Sequence, residues 1–201
     1  MGDFLDILAA DAQKTVSKGY YQVDHKTRHS GLSLKDTIEK CQTNAVISEI
    51  KKTSPSLGLI RTDINPAEMA LEMVNGGATG ISVLTEPIHF NGELNSIRKV
   101  RGAVQVPILM KDIIIDTEQI EAASSTQADV ILLIKALFER GHSAYGLDEM
   151  ISLAHEKGLE VLLETHTEKE FRGALQSDAD MIGINNRNLK TLEVDLGVTE
   201  R

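Results

Sequence analysis

The sequence predicts an α/β fold in which parallel strands alternate with helices around a barrel. Three observations support this fold class. Short apolar, β-rich runs recur along the chain, and the segments between them carry apolar residues at helical spacing. Three strand openings also resemble one another, namely GATGISVL, QADVILLI and DADMIGIN. A repeated strand–helix unit is typical of a (β/α)8 barrel and not of an open sheet with one nucleotide crevice.

Six runs are predicted to be strands. Their residues are apolar almost throughout, as expected of parallel strands that are buried on both faces. The runs are VISEI (46–50), TGISVLT (79–85), VPILM (106–110), DVILLI (129–134), EVLLE (160–164) and DMIGIN (180–185). The sequence therefore supplies six candidate strands for one sheet.

Helices are predicted between these runs from capping residues and apolar stripes. Asn65 and Pro66 can open the first of them, and the glycines at 76–77 can end it. The signals of the later helices are the stripe Leu94, Ile97 and Val100, the N-cap Asp116, the stripe Leu147, Met150, Ile151 and Ala154 before Gly158, and a capping box of Thr167 with Glu170.

The first 45 residues come before this alternation. Phe4, Leu5, Ile7 and Leu8 indicate a short amphipathic helix, and Ser33 can cap a second one. We interpret these residues as a helical extension packed on the barrel. The predicted organisation is one domain, with the extension at 1–45 and the βα units at 46–201.

Composition narrows the range of functions. The formal net charge of -9 argues against a nucleic-acid or anionic-membrane partner, because either would need a clustered basic face. No apolar run approaches the roughly 20 residues that span a bilayer, and the N-terminus lacks a basic signal region. Cys41 is the only cysteine, so we expect no Cys-based zinc site. A cytoplasmic protein with a small-molecule substrate is expected.

Polar residues at the ends of the strands mark a candidate site. Barrels and doubly wound sheets both place their chemistry at the carboxyl ends of parallel strands. No glycine-rich phosphate-binding motif follows the first strand, and its absence from the sequence disfavours a nucleotide-binding fold. The polar residues at strand ends are Glu49, Lys51, Lys111, Glu164, Asn185 and Arg187. Each alone could be a solvated end, an ion-pair partner or a turn residue, but together they predict one mouth where acids and bases shift each other's pKa.

Five segments resemble, in family order, motifs of the indole-3-glycerol-phosphate synthase family. They are AVISEIKKTSPSLG, GISVLTEPIHFNGEL, VPILMKDIIID, LLETHTEKE and IGINNRNLKTL, and the resemblance runs from about residue 45 to the last residues. It implies a TIM barrel that uses no metal or organic cofactor. The implied activity is conversion of 1-(2-carboxyphenylamino)-1-deoxyribulose 5-phosphate into indole-3-glycerol phosphate, with loss of carbon dioxide and water, in tryptophan biosynthesis.

The same resemblance implies roles for individual residues. Lys111 would be the general acid for ring closure, and Glu164 would serve the later dehydration. Lys51 would hold the substrate carboxylate, and Glu49 would orient Lys51 and stabilise positive charge on the substrate. How the proton donations are divided among Lys111, Lys51 and Glu164 stays open. The residues implied to bind substrate are Ser54, Asn185 and Arg187, with Ser54 lining the anthranilate pocket or touching phosphate.

The family pattern continues beyond the last residues of this sequence. It has two further βα units, so the resemblance predicts a barrel truncated to about six strands, without loops that frequently bind substrate phosphate. Two hypotheses follow. In the first, the chain is a synthase whose sequence is given as a fragment, or whose missing units come from another chain. In the second, it is a catalytically silent truncated barrel fragment that folds or persists by association. Open apolar edges at 46–50 and 180–185 are expected to promote self-association.

Overall fold

The structure is a computed structural model that describes residues 3–23, 31–54, 58–59 and 64–200, with backbone alone at 54 and 58–59. Its elements in chain order are α1 (Phe4–Ser17), α2 (Leu34–Lys40), β1 (Ile47–Ile50), β2 (Thr53–Ser54), β3 (Gly58–Leu59), α3 (Pro66–Asn75), β4 (Gly80–Leu84), α4 (Asn95–Arg101), β5 (Ile108–Lys111), α5 (Thr117–Thr126), β6 (Val130–Ile134), α6 (Lys135–Glu139), α7 (Leu147–Glu156), β7 (Glu160–Thr165), α8 (Glu168–Ala174), β8 (Met181–Ile184) and α9 (Gly197–Glu200). None of the helices in these ranges is long and apolar enough to cross a membrane.

One curled parallel sheet organises the described residues. Its order is β1-β4-β5-β6-β7-β8, and every neighbouring pair is parallel. The register aligns Leu84 with Lys111 and Glu164 with both Ile134 and Gly183, which brings the carboxyl ends of the strands to one edge. All six predicted strands are present in chain order. The TIM-barrel type of fold is therefore confirmed.

Side chains alternate between two apolar layers, as the two-residue period of strands requires. In β6, Ile131 and Leu133 face the helices, where they pack with residues such as Ile97 on α4. Leu132 and Ile134 face the inside of the curled sheet. Strands enclosed on both sides stay in place because each buried Leu or Ile contributes about 1.5–3 kcal/mol.

The predicted helices between the strands are present, with one local correction. Asn65 and Asp116 cap α3 and α5 through their side-chain oxygens. The predicted capping box of α8 is wrong in one half. Thr167 accepts from the Glu170 backbone N–H, but the Glu170 carboxylate accepts from His166 N–H at 2.8 Å and not from Thr167. The backbone amide that pairs with Glu170 is therefore that of His166, one residue before the amide that the capping-box pattern indicates.

The two N-terminal helices close opposite ends of the sheet. Leu5 and Leu8 of α1 pack beside Ile134 at the carboxyl ends, and the Arg140 guanidinium lies 2.7 Å from Asp3. At the amino ends, Glu160 accepts from the Leu34 backbone N–H of α2 at 2.8 Å. Both helices were predicted, but the position of α1 over the strand ends was not.

Short elements escaped the sequence prediction. The helix α6 begins directly after β6, and α9 spans only four residues. The antiparallel pair β2 and β3 has two residues in each strand. None of these elements is long enough to show a helical or strand period.

Candidate active site

A cavity of about 190 Å³ opens at the carboxyl ends of the strands. It is lined by six of the seven residues singled out from the sequence, namely Glu49, Lys51, Lys111, Glu164, Asn185 and Arg187. Its apolar walls are Phe4, Leu5, Leu8, Leu84, Phe90, Ile113, Leu132, Ile134, Leu189 and Leu192. Charged groups therefore meet inside a mainly apolar enclosure, where electrostatic interactions are stronger than in water.

Glu49 holds two ammonium groups at the mouth. It lies on β1, where alternation places it and Lys51 on the same face, and it pairs with the Nζ atoms of both Lys51 and Lys111. The Lys111 contact is 2.9 Å. Burial raises the pKa of Glu49, but the nearby Lys111 and Lys51 outweigh burial and hold that pKa below its usual range. The Glu49 carboxylate therefore bridges two ammonium groups.

Glu164 lies near the end of β7 on the other side of the cavity. Its side chain is only 14% exposed, and the Nε2 atom of His166 is 3.3 Å from its Oε1. Burial raises the pKa of Glu164, yet His166, Lys111 and Asn185 together lower it below the usual range. A second carboxylate therefore faces the lysines at neutral pH.

The segment after β8 folds back towards the cavity. Asn185 N–H donates to the Thr165 carbonyl at 2.8 Å, and Asn185 Oδ1 accepts from Arg187 N–H at 3.0 Å. The Arg187 guanidinium donates to the Leu192 carbonyl at 2.7 Å. These contacts fix the amide and the guanidinium at the rim, where they can contact a bound ligand.

Ser54 is the seventh residue from the sequence prediction. Its backbone belongs to β2, but its side chain lies outside what the structure describes. The neighbouring Thr53 hydroxyl donates to the His89 carbonyl at 3.3 Å, which ties this segment to the loop after β4. The binding role of Ser54 stays a prediction.

The sequence prediction missed Glu86 in the loop after β4. The carboxylate of Glu86 accepts from the backbone N–H groups of Ile88, His89 and Phe90 at 2.9, 2.7 and 3.0 Å. This holds Phe90 as a wall of the cavity. The signal that could have found Glu86 is an acid within two residues of an apolar strand.

Asp112 is a second missed carboxyl, directly after Lys111. It is 2% exposed and accepts from Tyr21 Oη at 3.0 Å, Thr85 Oγ1 at 2.5 Å and Ile113 N–H at 2.7 Å. Burial raises the pKa of Asp112 to about 6 despite these donors. Burial also raises the pKa of Tyr21, which stays a neutral donor. The network joins the segment after α1 to the ends of β4 and β5.

The helix α1 forms one side of the mouth. Its Asp11 carboxylate lies 2.9 Å from His89 Nε2, and its Asp6 carboxylate lies 2.8 Å from His142 Nε2. Together with Arg140, these contacts attach α1 to the loops after β4 and α6. No local sequence pattern relates residues so far apart in the chain.

Within the described ranges, no group of three or more His, Cys, Asp or Glu side chains is placed to hold a metal ion. The donors at the mouth are lysines and carboxylates that pair with one another. That the chemistry needs no metal or organic cofactor stays a prediction.

Comparisons with known proteins point to one family. The family model described as "Indole-3-glycerol phosphate synthase" matches residues 6–201. Similar proteins with that name come from Oceanobacillus iheyensis (42% identical over 173 residues, 86% of this chain and 64% of the relative), Dehalococcoides mccartyi (45% over 159 residues, 78% and 60%) and Endomicrobium trichonymphae (40% over 202 residues, 96% and 76%). The chain thus spans 64% and 60% of the length of the first two.

A solved structure shares the fold at low sequence identity. It is the N-acetylmannosamine-6-phosphate 2-epimerase from Clostridium perfringens, with a TM-score of 0.54 and 15% identity over 78% of this chain and 66% of that chain. At this identity the likeness concerns the fold alone.

Proposed function

Because the chain belongs to the indole-3-glycerol phosphate synthase family, we propose that it acts in the ring-closing reaction of tryptophan biosynthesis. The substrate is 1-(2-carboxyphenylamino)-1-deoxyribulose 5-phosphate, and the products are indole-3-glycerol phosphate, carbon dioxide and water. The observation that carries the proposal is the bridge of Glu49 between Lys51 and Lys111, opposite Glu164 in one cavity. The family match favours this reaction over a catalytically silent fragment.

Ring closure needs an acid beside the substrate ketone. The aromatic carbon that bears the carboxylate forms a bond to the carbonyl carbon, while the carbonyl oxygen takes a proton from the Lys111 ammonium and becomes a hydroxyl. The nitrogen attached to the benzene ring supplies the electron pair and becomes positively charged. Glu49, 2.9 Å from Lys111, keeps the donor in place and its negative charge stabilises that nitrogen.

Decarboxylation and dehydration complete the reaction. The electrons of the broken bond to the carboxylate return to the ring as carbon dioxide leaves, and Lys51 holds that carboxylate beforehand. The nitrogen lone pair then expels the hydroxyl, which leaves as water with a proton from an ammonium of the mouth. Glu164 takes the proton from the carbon next to the nitrogen. The lowered pKa of Glu164 supports this role as a base, because it keeps the side chain ionised at neutral pH and a carboxylate can accept a proton.

The walls of the cavity suit an aromatic substrate with a polar tail. Phe90, Ile113 and Leu132 give an apolar surface for the benzene ring, while Asn185 and Arg187 position the polar part. Ser54 lines the anthranilate pocket or touches the phosphate.

We also propose that the chain divides into a helical extension at 1–45 and βα units at 46–201. A cytoplasmic location is likewise our proposal.

Two substitutions test the assignment. Lys111→Met removes the proton donor and should lower the rate of ring closure by about 10²–10⁴, the usual loss for a general acid. Glu164→Gln should slow dehydration, so that a cyclised intermediate accumulates in single-turnover experiments. Lys99→Met, at an exposed position on α4, is the matched control for the loss of a lysine. Wild-type turnover by Lys111→Met under conditions where chemistry limits the rate would contradict the proposal.

We further propose that the chain self-associates through the edges of the described sheet. Each of β1 and β8 is hydrogen-bonded to a strand on one side only within that sheet. Val46, just before β1, is 50% exposed, and Ile184 in β8 is 39% exposed. Open apolar edges recruit further strands. Sedimentation velocity tests this, and a dilute solution that contains only monomer would contradict it.

A further inference from the structure

The proposed reaction leaves one buried basic side chain of the mouth without a role. We infer that His166 is a positioning residue, whose ring lies between Glu164 and Glu170 and fixes the Glu164 carboxylate towards the cavity. The consequence for catalysis rests on the proposed function. The placement of the ring does not, because it follows from the contacts of the described residues.

The ring meets a carboxylate at each nitrogen. Nε2 lies 3.3 Å from Glu164 Oε1, and Nδ1 lies 3.8 Å from Glu170 Oε2, while the side chain is only 4% exposed. A neutral imidazole would turn the lone pair of one nitrogen towards a carboxylate. Only the imidazolium presents an N–H to both. The two nitrogens make no aligned hydrogen bond, so the contact is one of opposite charges in a buried place.

The carboxylate on the far side of the ring is itself anchored. Glu170 Oε2 accepts from the His166 backbone N–H at 2.8 Å, and Glu170 N–H donates to Thr167 Oγ1 at 3.2 Å. The end of β7 is also fixed, because Thr165 Oγ1 donates to the Gly183 carbonyl at 3.0 Å. Glu170 thus holds one side of the ring, and the other side of the ring faces the Glu164 carboxylate.

Charges around the ring favour its protonated form. The groups whose charges or hydrogen bonds act on His166 and Glu164 are Glu170 on α8, Lys111 on β5 and Asn185 after β8. The other charged groups that line the same cavity include Glu49, Lys51 and Arg187. Burial lowers the pKa of His166, but the two carboxylates outweigh burial and raise it to about 9. The positive charge therefore persists through neutral pH and is lost as the pH rises through about 9. In return, His166 helps to keep the pKa of Glu164 low, so that this carboxylate is ready to accept a proton.

The first experiment measures the protonation of the His166 ring and does not depend on enzyme activity. In the full chain labelled with ¹⁵N, NMR of the imidazole nitrogens should show His166 protonated at pH 7.5. The Glu164→Gln and Glu170→Gln variants should each lower the midpoint of its titration. A ring that is neutral at pH 7.5, or a midpoint that neither variant moves, would overturn the inference.

The second arm reads catalysis. His166→Gln should lower the rate of dehydration by about 10²-fold, as expected when a reacting group is misplaced by about 1 Å. It should also move the acidic limb of the kcat/KM profile to higher pH while KM changes little, because Glu164 loses its cation. His166→Lys, which keeps the charge, should recover part of the rate. His155→Gln is the matched control, since its Nε2 lies 2.9 Å from Asp180 at the amino ends of the strands.

The two arms separate the possible failures. If His166→Gln does not fold, the NMR titrations of the glutamate variants still decide the question. A wild-type profile for His166→Gln, at unchanged rate, would overturn the inference while the proposed function stands. If the wild-type protein does not turn over the substrate but the ring titrates as expected, the proposed function fails and the placement of His166 between the carboxylates stands.

Discussion

Replacing Asp112 with asparagine measures the cost of a carboxyl group buried beside the mouth. An asparagine there keeps an oxygen that accepts from Tyr21 and Ile113, and its amide can donate to the Thr85 hydroxyl. The Thr85 hydrogen can then turn to the Lys111 carbonyl, 3.5 Å from its oxygen. Asp112→Asn therefore removes the titrating proton and leaves the hydrogen-bond network in place.

The magnitude follows from the raised pKa of Asp112. Burial, with a smaller contribution from the charge of Glu86, raises this pKa from the usual 3.8 to about 6. The folded protein thus binds the proton more tightly than the unfolded chain. The associated stability is fully present below about pH 4 and is lost as the pH rises through about 6. A difference of about 2 in pKa corresponds to about 3 kcal/mol in the free energy of unfolding.

Urea unfolding of both proteins between pH 4 and pH 8 checks this value. The free energy of unfolding of Asp112→Asn minus that of the wild type should rise by about 3 kcal/mol across this range. Taking the difference cancels the titration of the other carboxyls, and Asp178→Asn is the control for losing one exposed carboxyl. A difference that stays flat, or that moves against Asp112→Asn as the pH rises, would refute the argument that burial dominates at this site.

Three further substitutions test other parts of the mouth. Gly92→Ala should lower the free energy of unfolding in urea by about 1–3 kcal/mol, because the added Cβ would lie 2.6 Å from the Leu84 carbonyl oxygen. Gly146→Ala is the control and should leave this free energy unchanged, because its Cβ would have no atom within 4 Å. Arg140→Gln should speed backbone hydrogen exchange in α1, since it breaks two ion pairs of that helix. Glu49→Gln should lower kcat more than it raises KM in a substrate-conversion assay. The expected loss in kcat is about 10²-fold, the cost of displacing the proposed proton donor Lys111 by about 1 Å.

Elements with local signals could be predicted from the sequence. The strands are short apolar runs, and the helix caps Asn65 and Asp116 satisfy amides within three residues of themselves. The capping box at Thr167 shows the limit of such patterns. The residue types of the motif are present, but the Glu170 carboxylate accepts from the backbone N–H of His166, which lies between the end of β7 and the N-cap Thr167.

The charged residues of the mouth were predictable as a group because parallel strands end at one edge. What could not be predicted is what covers them. The Arg140–Asp3 contact joins residues 137 positions apart, and the Tyr21–Asp112 contact joins residues 91 apart. His166 could have been predicted as a site residue, because two-residue alternation along β7 places it on the same face as Glu164. Its second partner, Glu170, depends on how α8 turns back.

Three of the acids that line the cavity, Glu49, Glu164 and Asp112, have different cationic neighbours, and these neighbours decide their protonation. Lysines lower the pKa of Glu49, and His166 with Lys111 lowers that of Glu164. Asp112 has only neutral hydrogen-bond donors, and its pKa rises to about 6. Since all three are largely buried, burial alone would favour the neutral form of each. Removing Lys111 should therefore raise the pKa of both neighbouring glutamates as well as remove the proposed proton donor, so the loss of rate that we expect of Lys111→Met combines the two effects.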